Sequence, residues 1–175
     1  MLSQPRGTST ASHSSALAWS VSPWHLCVVG TLALWLSGSL FLDFLVVPSL
    51  YWTGMMSQSE FATVGYALFG NFNRFELLCG AIVLSGFLWK QQLPRVQREA
   101  VLRNIPLALT TVAIALTFTY ILAPQMSAMG LNLQDGSESL IPTAMNQFHL
   151  LYWGLEIVKL GCLGLLLQRS FRLTQ

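Results

Sequence analysis

The chain has 175 residues, of which 53% are hydrophobic and only 9% are charged. A soluble domain carries about 25% charged residues, so this composition excludes an ordinary soluble surface and favours a lipid environment. The net charge of +2 comes without a basic stripe interleaved with aromatic residues, which argues against nucleic acid as a partner. The partner that the composition indicates is the lipid bilayer.

Residues 1–22 are rich in Ser, Thr and Ala and contain a single charged residue, Arg6. Such a segment has too few apolar side chains to form a core of its own. We therefore expect a disordered polar N-terminal tail, followed by one membrane domain over residues 23–168.

Four apolar stretches follow the tail, and each has about the 20 residues that a helix needs to cross the bilayer core. They cannot be strands, because their residues do not alternate between apolar and polar. The predicted spans are approximately residues 24–47, 66–89, 105–123 and 148–167, with Pro48 ending the first and Pro124 ending the third. The sequence thus predicts an all-α fold, an integral membrane four-helix bundle.

The basic residues of the connecting segments predict the orientation of the bundle. They concentrate between spans 2 and 3 and in the C-terminal tail, residues 169–175, as Lys90, Arg95, Arg98, Arg103, Arg169 and Arg172. The other two connections carry acidic residues only. Because basic loops stay on the cytoplasmic side, we expect both termini to be cytoplasmic. The membrane would be the plasma membrane, or the thylakoid if the source is a cyanobacterium.

Polar side chains in the spans form a predicted layer in the outer half of the membrane. Each charged residue there costs about 2.5–3.5 kcal/mol to insert at mid-membrane, so such residues usually pair and are usually functional. The residues of this predicted layer are Asp43, Asn71, Arg74, Glu76, His149, Tyr152, Glu156 and Lys159.

The spacing of the charged residues predicts how they pair. Glu156 and Lys159 are three apart on one helix and can pair directly. Arg74 and Glu76 are two apart, so they point to different sides of their helix. The simplest cross-helix pair is Asp43 with Arg74. Two interpretations stay open: the layer only fixes the helix register, or it lines a pocket for a small ligand, ion or cofactor.

Other chemistry has weaker support in the sequence. His149 is a weak candidate ligand for haem or copper. Copper is considered because four methionines also fall near outer span ends: Met55, Met56, Met126 and Met129. The three cysteines form no CxxC pair and are expected to pack among the helices. Hydrolase and phosphate-binding motifs are absent, so we expect no enzyme activity of those kinds.

Three segments resemble one family. Gly38 to Pro48, Tyr120 to Pro124, and Asn146 to His149 with the helix that follows are similar to parts of small four-helix membrane proteins that include the animal transmembrane protein 205 (domain of unknown function 4149). In the helix that follows His149, the pattern of Tyr152-Trp153, Glu156 and Lys159 resembles the cyanobacterial branch of this family. The resemblance implies a fold and a membrane location. More distant likeness to copper-resistance D proteins and to a membrane oxidase of the haem pathway implies a possible metal or haem site.

Three functions are consistent with these observations. The first is a membrane protein that binds, or helps to move, a small ligand or ion through the polar layer. The second is a haem- or copper-binding redox protein that uses His149. The third is an assembly or scaffold subunit of a membrane complex, or a homo-oligomer, whose helix faces contact other subunits.

Overall fold

The computed structural model describes residues 23–55, 61–89, 99, 101–132 and 143–172, and these are helical apart from short turns. The predicted tail over residues 1–22 and most of the basic connection lie outside the described residues. Within the described ranges there is no strand, as the absence of alternating patterns predicts.

Four helices are long and apolar enough to cross a membrane, which confirms the four predicted spans. We refer to them as spans 1 to 4, and each is longer than the sequence predicts. Their bounds are Pro23–Trp52, Thr63–Trp89, Ile105–Met129 and Asn146–Arg172. The last of these includes the first residues of the predicted C-terminal tail.

Spans 1 and 3 are each built from two α-helices joined by one π-helical turn. In span 1 the turn is Leu42–Val46, between helices Pro23–Phe41 and Val47–Trp52. In span 3 the turn is Phe118–Leu122, between helices Ile105–Thr117 and Ala123–Asn132. Spans 2 and 4 lie in the continuous helices Phe61–Trp89 and Thr143–Arg172.

The π turns correct the prediction that Pro48 and Pro124 end their helices, which was wrong. Each proline stands two residues after the last residue of a π turn, and the chain stays helical beyond it. At the turns, the N–H of Val47 bonds to the carbonyl of Leu42 and that of Ala123 to the carbonyl of Phe118, five residues back. A local π adjustment of this kind accommodates a proline in a membrane helix, where its missing N–H would otherwise break the ladder.

The four spans form an up-down bundle in which neighbours along the chain are neighbours in space. Span 1 packs against spans 2 and 4, and span 3 also packs against spans 2 and 4. Spans 2 and 4 therefore face each other across a diagonal of the bundle. This arrangement lets a side chain from each of them meet at the bundle axis.

Two apolar clusters fill the bundle interior. The larger includes Leu32, Trp35, Val83 and Leu163, and the smaller is formed by Ile114, Phe118 and Leu122 with partly buried neighbours. The outer face is apolar as well. Its exposed large hydrophobic residues include Phe44, Leu150 and Ile157, which are 70%, 75% and 67% exposed. A surface of this kind suits lipid contact and does not suit water.

Gly86 marks a close approach of spans 1 and 2. A Cβ atom at this position would overlap Cγ2 of Val28, a short branched side chain with little freedom to move. We expect Gly86→Ala to lower the free energy of unfolding by about 1–3 kcal/mol, as overpacking does. Thermal unfolding in detergent measures this. Gly154→Ala is the matched control, because nothing lies within 4 Å of that position; an equal loss in both variants would contradict the account.

Candidate functional site

Four ionisable side chains lie buried together between the spans, and we call them the ionic cluster: Asp43, Glu76, Glu156 and Lys159. Each is 2% exposed or less. Asp43 comes from span 1, Glu76 from span 2, and the other two from span 4. Glu76 and Lys159 stand at the centres of their spans. The ionic cluster thus occupies the middle of the bundle and extends from there toward Asp43.

Lys159 is the cation at the centre of the cluster. Its Nζ lies 2.5 Å from Oε1 of Glu76, across the diagonal between spans 4 and 2. The same Nζ lies 2.7 Å from Oε2 of Glu156, one turn earlier on its own helix. This second contact is short enough for an ion pair, although its angles do not suit a hydrogen bond. The predicted pairing of Glu156 with Lys159 is confirmed.

One oxygen of Glu76 collects three donors. Besides Lys159, Oε1 accepts hydrogen bonds from Trp35 Nε1 at 3.0 Å and from Ser39 Oγ at 2.9 Å, both on span 1. Trp35 and Ser39 are not among the site residues predicted from the sequence. A signal for them exists, because Trp35, Ser39 and Asp43 are spaced four apart and so lie on one face of the helix.

The Trp35 hydrogen bond supports a direct prediction. Trp35→Phe keeps a six-membered aromatic ring but removes the pyrrole ring of this buried indole, including the N–H that bonds to Glu76. We expect a loss of about 1.5–3 kcal/mol, the range for a hydrogen bond to a charged group. Chemical or thermal unfolding of the purified protein measures it. Trp52→Phe serves as the control, because Trp52 is 82% exposed; a loss of the same size there would show that the bond to Glu76 contributes nothing.

The carboxyl groups of Asp43 and Glu156 lie within hydrogen-bonding range of each other. Asp43 belongs to the π turn of span 1, where the helix is one residue wider. Widened turns of this kind often occur at functional sites. Two ionised carboxylates have no hydrogen to share, so a hydrogen bond between them requires a proton on one of the two.

The ionic cluster contains more hydrogen-bond acceptors than the described residues satisfy with donors. Oδ2 of Asp43 and Oε2 of Glu76 are buried and accept no hydrogen bond from the described part of the chain. Three carboxyl groups face one ammonium group. If all four groups were ionised, the cluster would hold two uncompensated negative charges in a medium where each buried ion already costs several kcal/mol.

Aromatic rings close the cluster on the side of spans 3 and 4. Lys159 Nζ lies 5.1 Å from the ring centroid of Phe118, which belongs to the π turn of span 3. Phe118 in turn stacks on Tyr152, with ring centroids 4.6 Å apart. Tyr152 is partly buried and also meets Phe69 edge to face, with centroids 6.5 Å apart. All four spans therefore contribute to the surroundings of Lys159.

The other residues of the predicted polar layer lie elsewhere. Asn71, Arg74 and His149 are exposed, whereas Asp43 is buried. The predicted pair of Asp43 with Arg74 is wrong, since no ion pair between them occurs in the described structure. Its physical reason is visible in span 2, where Arg74 and Glu76 point to different sides as their spacing predicts. Glu76 points inward, and the cation that meets the buried carboxylates is Lys159.

The geometry of the described residues adds no support to the predicted haem or copper ligand His149. No three His, Cys, Asp or Glu side chains within them are grouped as metal ligands. His149 is exposed near the beginning of span 4, while His25 is buried near the beginning of span 1 and so at the opposite end of the bundle. The two histidines cannot share one ligand.

No family model matches this chain, and no curated protein or solved structure is significantly similar to it.

Proposed function

We propose that this chain is an integral membrane protein that reversibly binds a small monovalent cation, a proton or an alkali ion, at the ionic cluster and helps to move it across the bilayer. The observation that carries the proposal is the imbalance of three buried carboxyl groups against one ammonium group at mid-span. The four helices supply the membrane context, since each is long and apolar enough to cross.

The charge imbalance supports cation binding because a bilayer interior does not tolerate uncompensated charge. Ionisable residues inside membrane spans are expensive, and they commonly mark ion pathways or proton relays. One positive charge delivered to the cluster removes half of the excess negative charge. Unsatisfied oxygens on Asp43 and Glu76 provide acceptors for it.

A purely structural cluster would be arranged differently. Helix register could be fixed by the single pair of Glu76 with Lys159, which joins spans 2 and 4 and already has the support of Trp35 and Ser39. Asp43 and Glu156 bring two further carboxyl groups, although Lys159, which contacts Glu156 as well as Glu76, supplies only one positive charge. Their presence beside a complete ion pair favours a binding role over a register role.

We also propose the finer features that the sequence indicates. Both termini would be cytoplasmic, because the basic residues are concentrated in the connection between spans 2 and 3 and in the tail after span 4, and basic segments stay on the cytoplasmic side. The membrane would be the plasma membrane or a thylakoid. We propose that the chain is related to the family of transmembrane protein 205, because three of its segments resemble that family.

Thermal unfolding of the purified protein in detergent tests the binding. A ligand that binds only the folded chain stabilises it by RT ln(1 + [L]/Kd), about 2.7 kcal/mol at a hundredfold excess over Kd. We expect the melting temperature to depend on at least one of three variables: sodium chloride or potassium chloride in place of choline chloride at equal ionic strength, or pH. Glu156→Gln should reduce that dependence.

The control variant is Glu99→Gln, which makes the same chemical change at an exposed position outside the spans. It should respond to ions and pH as the natural protein does. A natural protein whose melting temperature ignores sodium, potassium and pH alike would overturn the proposed function. So would a Glu156→Gln variant that keeps the whole response.

A further inference from the structure

The contact between Asp43 and Glu156 narrows the identity of the cation. Two carboxyl groups within hydrogen-bonding range need one hydrogen between them, which an alkali ion does not supply. Both side chains are at least 98% buried, since Asp43 is 2% exposed and Glu156 is 1% exposed. Water is therefore not at hand to screen the repulsion that two ionised groups would have at this range.

The ammonium group of Lys159 disfavours the binding of an alkali ion at the same carboxyl groups. Its ammonium group lies 2.7 Å from Glu156 and 2.5 Å from Glu76, so an alkali ion seated on these carboxylates would be within a few ångströms of a positive charge. A proton is free of this repulsion, because it forms a neutral carboxylic acid. The buried ammonium therefore selects for a proton among small cations.

The groups that face the carboxyl pair come from three spans. Span 1 contributes Asp43 itself, and span 2 contributes Glu76, with Cys79 beside it. Span 4 contributes Tyr152, Glu156 and Lys159. Span 3 presents the apolar ring of Phe118 to Lys159, while its Tyr120 is exposed. One cation thus faces three acids and two weak acids, a balance that favours uptake of a proton.

We propose that Asp43 and Glu156 form a proton-loading pair, a carboxylic acid hydrogen-bonded to a carboxylate, and that the ion handled by this protein is the proton. This inference rests on the proposed function and names its substrate. In the loaded state one carboxyl group donates its O–H to the other. On release the O–H bond breaks, the proton leaves to water, and both groups are ionised beside the ammonium of Lys159.

Infrared spectroscopy of the purified protein in lipid tests the loaded pair directly. A protonated carboxyl group has a carbonyl band that is separate from the amide bands and shifts in D₂O. We expect this band at neutral pH in the natural protein and its loss in Glu156→Gln. Asp43→Asn should also remove it, because the new amide N–H supplies the hydrogen that the pair otherwise takes from a proton.

Two results would overturn the inference: a natural protein without the band, or a band of full intensity in both Glu156→Gln and Asp43→Asn. Glu99→Gln is the control and should retain the band. The unfolding experiment separates this inference from the proposed function. Suppose that sodium or potassium raises the melting temperature, while pH leaves it unchanged in both the natural protein and Glu156→Gln. That result would support the proposed cation binding and contradict the inference that the cation is a proton.

The linkage between proton binding and stability fixes the sign of the pH effect. If the folded pair holds a proton that the unfolded chain releases at neutral pH, the folded state binds more protons, and stability falls as pH rises. We expect this fall to be larger in the natural protein than in Glu156→Gln. The opposite sign would contradict a loaded pair.

Discussion

Replacing Lys159 with methionine is expected to lower the free energy of unfolding by about 3–5 kcal/mol, the usual result of removing one partner from a buried ion pair. The shape of the side chain is nearly kept, but Glu76 and Glu156 lose the ammonium that lies 2.5 Å and 2.7 Å away. Among the described residues, the three buried carboxyl groups then have no cation paired with them. Unfolding in detergent or bicelles measures the loss.

Two comparisons make this prediction specific to the ionic cluster. Arg172→Met removes a positive charge from the exposed end of the same helix and should change stability little. Adding Glu76→Gln to Lys159→Met removes one uncompensated carboxylate, so the double variant should be more stable than the sum of the single effects. A Lys159→Met protein as stable as Arg172→Met would mean that the buried pair contributes nothing.

The double substitution of Asp43→Asn with Glu156→Gln, unlike Lys159→Met, is not expected to lower the free energy of unfolding. It leaves one carboxylate, Glu76, opposite one ammonium, Lys159, so the cluster becomes electrically balanced. Replacing buried ionic groups with neutral ones of similar shape is often neutral or stabilising by about 1–4 kcal/mol. We therefore expect a folded protein with equal or greater stability that no longer responds to pH or cations.

This variant separates a functional cluster from a structural one. Unfolding at several pH values, with the natural protein and Glu99→Gln measured alongside, gives both the stability and the response. A variant that loses several kcal/mol would indicate that Asp43 and Glu156 hold the bundle together. A variant that is stable and still responds to pH would place the binding elsewhere.

Much of the fold follows from the sequence because membrane spans leave a strong compositional signal. Twenty apolar residues in a row must form a helix in lipid, and all four spans are found where the sequence predicts them. The helix ends were less predictable. Proline is a strong helix breaker in water, so Pro48 and Pro124 predict helix ends. No local sequence pattern predicts the π turns that allow the helices to continue beyond them.

The site could be predicted in part. Cost of burial selects Asp43, Glu76, Glu156 and Lys159 as residues that need partners, and the spacing of Glu156 and Lys159 on one helix predicts their contact. The partner of Glu76 depends on which spans face each other across the bundle, which spacing along one helix cannot give. The same lack of tertiary information made the exposed Arg74 look like the natural partner of Asp43, and left Trp35 and Ser39 unselected.

Proton flux into vesicles tests the central claim most directly. The purified protein is reconstituted into liposomes that enclose a pH-sensitive dye, and a potassium gradient with an ionophore sets the membrane potential. We predict that the natural protein and Glu99→Gln acidify the interior faster than protein-free vesicles, and that Glu156→Gln does not. Equal rates for the natural protein and Glu156→Gln, or a natural protein no faster than empty vesicles, would contradict the claim that the ionic cluster moves protons.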